Sequence, residues 1–324
     1  MKTSKIILSI GLLAISGLLV FTSCKKRKAF KNEDGQVSVD NRSAQSENDA
    51  AISDINDVIS NTPLMKGKSA DPNAVAGTNG ILGNICGLDV DTNGAYMGTI
   101  LLNYTGITCN NRTRSGSIKL TIQDYASGKR WKQVGTVLKV DYLDYKVTRA
   151  SDGKSVKLNG TQLVSNISGG SWFELIFLGQ AELVHSVTGN NLSVTFDDNK
   201  TATYNIHRKF TYTWASPVLT AKGEGIGTHD NISNLENWGT TRDGDSFTSQ
   251  VITPVVWNTT CGAWAPIQGE VEIKVSSKEF NLKATFGVDK DGNPVSVAAN
   301  SCPYGWKLEW NRKKKNNKKI FGYK

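Results

Sequence analysis

CNNRTRSGSIKLTI, Cys109 to Ile122, is the stretch whose reading decides the fold. Ile118, Leu120 and Ile122 alternate with Lys119, Thr121 and Gln123, and a period of two turns one face of a strand to a core and the other to water. A second stretch, CGAWAPIQGEVEIKV from Cys261 to Val275, has the same order of cysteine, loop, glycine and alternating strand. The pair suggests an internal duplication of an all-β unit.

Outward from these stretches the alternation continues. Cys86, Leu88 and Val90 share a face, Asn93 and Gly94 supply a turn, and Ile100, Leu102 and Tyr104 return. Leu138, Val140 and Tyr142 keep one parity, and Leu143, Tyr145 and Val147 the other, which predicts a β-bulge near Tyr142. From Ala202 to Trp214 the inward parity of one long strand is broken only by Arg208. Trp172 to Leu178, apolar on both parities, is expected as a strand covered on both faces. Lys222 to Ser246, rich in glycine and asparagine, is expected as a long surface loop. The predicted fold is antiparallel all-β, a sandwich or curled meander over residues 81–311, with two similar halves (81–189 and 190–311) as the variant to test.

The N-terminus has a different grammar. Lys2 and Lys5 precede an apolar run from Ile6 to Phe21, so residues 1–23 form a secretory signal. Phe21, Thr22, Ser23 and Cys24 resemble a bacterial lipobox, with Phe21 where leucine is usual, which makes Cys24 the expected site of lipid attachment. Residues 24–80 are expected as a polar tether holding one short helix between Ser46 and Ser60, where Ala51, Ile52, Ile55, Val58 and Ile59 recur at helical spacing and Pro63 ends the pattern.

The chain holds 38 basic and 29 acidic side chains. Seven of the basic ones fall in residues 312–324 and five between Lys25 and Lys31, and the signal holds two, leaving 24 against 29 in the body. The positive charge therefore belongs to the two ends, where a basic tail suits anionic headgroups better than a nucleic-acid face.

Besides Cys24 there are four cysteines, an even number that in an exported chain reads as two disulfides. Of the three connectivities, Cys86 with Cys109 and Cys261 with Cys302 keeps each bridge within one half. No CxxC or HxxxH spacing points to a metal, and no GxSxG, HExxH or phosphate loop points to a cofactor or nucleophilic chemistry. Asp197 with Asp198, and Asp289 with Asp291 and Asn293, read as turns. His207 falls on a solvent parity. Six of the eight tryptophans lie in the second half, and Trp257, Trp264, Tyr304 and Trp306 flank Cys261 and Cys302; they are the candidate ligand-binding rings.

GTILLNYTGITC followed by CNNRTRSGSIKLTI, and WNTTCGAW followed by a G-x-V-x-I-x-V strand, resemble the uncharacterised β-rich lipoproteins of Bacteroidota. The resemblance spans about Ile81 to Trp310 and departs at Cys302, which sits in Asn-Ser-Cys-Pro-Tyr where that group has a GDGxCD-like turn. It implies an outer-membrane lipoprotein and transfers no catalytic residue. Two functions follow: a non-enzymatic envelope module that binds a glycan, lipid or protein partner, or an envelope hydrolase acting on glycans through carboxylates that sequence does not reveal.

Overall fold

The computed structural model describes residues 32–62, 85–262, 264–296, 301–312 and 315–323. Cys24 and the signal lie outside the described residues. Helix α1 (Asn32–Asn61) leads into strands β1 (Leu88–Asp91), β2 (Thr99–Cys109), β3 (Arg112–Ile122), β4 (Thr136–Arg149) and β5 (Ser155–Asn166). A short helix α2 (Trp172–Phe177) precedes β6 (Leu183–Phe196), β7 (Thr201–Ala215), β8 (Val218–Gly225), β9 (Gly227–His229), β10 (Ile232–Thr240) and β11 (Ser246–Asn258). The chain closes with β12 (Gln268–Val275), β13 (Leu282–Val288), β14 (Gly305–Arg312) and β15 (Lys315–Gly322).

All fifteen strands belong to one antiparallel sheet, ordered β1 to β7 and then β10 to β15. β8 and β10 share the gap between β7 and β11: β10 pairs with the first half of β7, and β8 with the second half. The sheet curls round α1 in a sandwich-like arrangement. Ala51, Ile52, Ile55, Val58 and Ile59 of the helix are buried in one cluster with Leu102, Ile118, Leu120, Leu138 and Val140 of the sheet.

The antiparallel all-β expectation holds, and so does the bulge. Between Tyr142 and Tyr145 the register with β5 shifts, Asp144 takes a positive φ of 51°, and both tyrosines stay buried. Across the same kink, Gly116 has a φ of +84°, and a Cβ there would stand 2.1 Å from the Asp144 carbonyl oxygen. Only glycine fits that crossing.

Several expectations need correction. The helix is thirty residues long, starting at Asn32 within the stretch expected as tether. It is enclosed by the sheet, so its polar side chains find partners there and apolar periodicity alone does not mark its first half. Asn190 lies inside β6, which is hydrogen-bonded to β5 and β7, so the sheet has no seam between halves there. Residues 172–177 are helical, not extended; the Ser171 hydroxyl accepts from the Phe173 amide as an N-cap. Lys222 to Ser246 forms the second half of β8, then β9 and β10, because its glycines let strands approach closely: a Cβ on Gly225 would meet the Asn234 carbonyl at 2.2 Å. Most of the basic tail is edge strand β15, where lysines discourage pairing with other chains.

Beneath the β6–β7 wall, His185 is fully buried against Trp131 and Tyr212, at 5.1 and 5.4 Å between ring centroids, and neither ring nitrogen has a partner. Burial pushes its pKa from 6.5 down to about 3. The unfolded chain takes up this proton near pH 6.5 and the folded chain refuses it until about pH 3. The neutral imidazole is therefore fully compatible with folding above pH 6.5, and stability is lost as pH falls, by up to about 1.4 kcal/mol per unit. Denaturant midpoints are expected to show about 2 kcal/mol of loss between pH 7 and pH 5 from this group. His185→Phe should remove that slope; an unchanged slope would mean that another group carries it.

Candidate functional site

The site begins with the charges that hold α1 in the sheet. Inward positions on strands are normally apolar, yet Arg112 and Arg114 on β3 and Arg208 on β7 point inward and are buried. Each meets an acid of the helix: Glu47 at 3.0 Å from Arg112, Asp54 at Arg114, and Asp49 at Arg208. Arg242 clasps Asp40 through two bonds of 2.6 and 2.7 Å. Asn48 donates to the Tyr142 hydroxyl and to Gln162, and Asn41 joins Ser249 to Asn237. Burial raises the pKa of Asp54, and Arg114 and the Tyr104 hydroxyl oppose it. Glu236, beside Arg208, is raised by burial in the same way.

Between this helix and the wall of β7, β8 and β11 lies a cavity of about 500 Å³, within the range of small-molecule sites. Five rings line it: Trp172, Phe210, Tyr212, Trp257 and Trp264. Interleaved with them are Asp49, Ser53 and Asp54 from the helix, Asn110 from the β2–β3 turn, and Asn258 and Thr259 from the end of β11. Among the described residues, no lysine or arginine lines it. Three lining residues keep a buried polar atom without a protein partner: Oδ2 of Asp49 and Nε1 of both Trp172 and Trp257.

Both disulfides brace this region. Cys86 is bonded to Cys109, next to Asn110, and Cys261 to Cys302, between Thr259 and Gly262. The pairing is the one that the sequence favours. Of the four candidate rings, two reach the cavity. Trp257 is 5 % exposed and packs on Phe210, while Trp264 donates to Glu47 at 2.9 Å and lies under the Arg112 guanidinium. The other two do not join them. Trp306 is 6 % exposed, stacked on Phe321 at 4.3 Å, and Tyr304 stands 45 % exposed outside. The four candidate rings therefore do not share one patch: Trp257 and Trp306 sit on inward strand positions, and the disulfide brings their loops together without gathering the rings.

The parity break at Arg208 was the signal for the helix–sheet ion pairs; a buried arginine on a strand demands an acid. Asp49, Trp172 and Phe210 carry no such mark, since sequence does not show which side of a cavity they meet. A second groove, of about 620 Å³, runs on the outer face past Asn191, Asn205 and Lys274, but its one tryptophan, Trp238, is already stacked on His229 and packed against His207. The turn readings hold: the Asp289 carboxylate accepts from the amides of Asp291 and Asn293, and the Asp198 carboxylate from that of Lys200. The chain matches no family model, no curated protein and no solved structure.

Proposed function

We propose that this chain is a lipid-anchored envelope protein of the outer membrane that binds a small ligand in the cavity between α1 and the sheet and does no chemistry on it. The observation that carries the reading is the cavity itself, aromatic-walled, braced by two disulfides and bounded by a helix that buried ion pairs and hydrogen bonds fix in place. Anchoring rests on the lipobox-like run ending at Cys24 and on the resemblance to Bacteroidota lipoproteins.

One observation favours hydrolysis as a second reading: Asp49 and Asp54 line the same cavity. A glycosidase needs one carboxyl that delivers a proton and one that stays free as base or nucleophile. Here each is tied to an arginine, Arg208 or Arg114, and Asp54 also accepts from Tyr104 at 2.9 Å. Those bonds suit anions held for structure and favour binding over catalysis.

The test joins place and site. Cys24→Ser is expected to move the protein out of the membrane fraction. With a fraction of envelope extract that contains the ligand, the unfolding midpoint of the wild type should rise, equivalent to about 2.7 kcal/mol at a hundredfold excess over Kd. Ala221→Phe, which fills the cavity from β8, should abolish the rise. An equal response from that variant would remove the cavity from the function.

A further inference from the structure

We infer that the ligand is an uncharged saccharide of one or two rings; the inference rests on the cavity being the binding site. Sugar rings have an apolar C–H face and a rim of hydroxyls, and the cavity offers both counterparts at once. Trp172, Phe210, Tyr212, Trp257 and Trp264 supply aromatic surface for the first. Asp49, Ser53, Asp54, Asn110, Asn258 and Thr259 supply acceptors and donors between them.

Other ligand classes fit less well. A fatty acid would set its chain against those six polar residues and strip their remaining water without replacing it, which is costly for every polar group so dried. It would also bring a carboxylate for which the described lining holds no free cation, since Arg208 and Arg114 are already committed to Asp49 and Asp54. Uronic acids and sugar phosphates meet the same obstacle. An alkylammonium ion suits aromatic walls, but Asp49 and Asp54 already have Arg208 and Arg114 as counter-charges, so the added cation would go unbalanced. A neutral polyol leaves the electrostatic balance intact.

The test is a titration of the full mature chain, read by tryptophan fluorescence and calorimetry, because three indoles line the cavity. The probes are a panel of uncharged mono- and disaccharides that includes maltose, cellobiose and chitobiose, with digalacturonate, palmitate and choline as contrasts. The expected result is saturable binding of at least one uncharged sugar and none of digalacturonate. Affinity should fall roughly fivefold to tenfold in Trp257→Leu, for the loss of one stacked ring. Ala221→Phe and Ser53→Phe, which fill the cavity from opposite walls, should each abolish binding while circular dichroism stays native, so that one misfolded variant does not spoil the test. Saturable palmitate or choline binding that both filling variants abolish, with no sugar bound, would overturn the saccharide and leave the cavity reading standing. Sugar binding untouched by both variants would place the site elsewhere and overturn both.

Discussion

Arg208→Leu is expected to lower the free energy of unfolding by about 3–5 kcal/mol, the usual cost of stranding a buried charge. Arg208 is enclosed by Asp49 of the helix and Glu236 of β10, and its guanidinium also lies over Phe210 at 4.5 Å. Burial lowers its pKa and the two acids more than restore it, so it stays charged. Without it, Asp49 and Glu236 must keep unpaired charge in the interior or take up protons. Asp49→Asn in the same chain should recover part of the loss, since it removes one of the two stranded charges. Chemical denaturation measures both. A loss below about 1 kcal/mol, the value of an exposed pair, would mean that the arginine is solvated in solution and that the helix is held by other means.

Removing residues 32–61 should have the larger effect: the rest of the chain is expected not to fold. Ile52, Ile55, Val58 and Ile59 are all buried against the sheet. At about 1.5–3 kcal/mol for each fully buried aliphatic side chain, these four alone approach the 5–15 kcal/mol by which a native domain is stable. Deleting the helix would also expose the inner sheet face and take Glu47, Asp54, Asp49 and Asp40 away from Arg112, Arg114, Arg208 and Arg242. The expected readout is loss of near-ultraviolet dichroism with dye-binding apolar surface, reversed when a peptide of residues 32–61 is added in trans. A monodisperse, cooperatively unfolding truncated body would show that the sheet closes on itself and that the helix is an accessory.

These two experiments probe the feature that was least legible in the sequence. Ala51 to Ile59 shows an apolar spacing because that segment meets Leu102 and its neighbours, and it was readable. Asn32 to Glu47 shows almost none, because Asp40, Asn41 and Glu47 are buried against Arg242, Ser249, Asn237 and Arg112, and a helix that meets a polar wall needs no apolar stripe. The candidate rings divide for a similar reason. Trp306 shares a parity with Leu308 and Trp310, and counting that strand back by two residues places it in the core. Trp257 resists the count, because β11 shifts register twice against β12 between Val251 and Val256.

The sequence by itself determined the antiparallel β class, the bulge at Tyr142 and the turns at Asp198 and Asp289, and it favoured the pairing that the four cysteines take. Each is written in neighbouring residues: alternation sets the faces of a strand, Asp and Asn set the turns, and near-neighbour cysteines close the shorter loops. Only the tertiary structure decided that α1 is enclosed, that its acids meet the arginines of β3 and β7, and that Asp49, Trp172, Phe210 and Trp257 share one cavity. Those residues stand up to 208 positions apart in the chain, and what brings them together is the curl of a fifteen-stranded sheet, a sum of many small twists and bulges that no local pattern records.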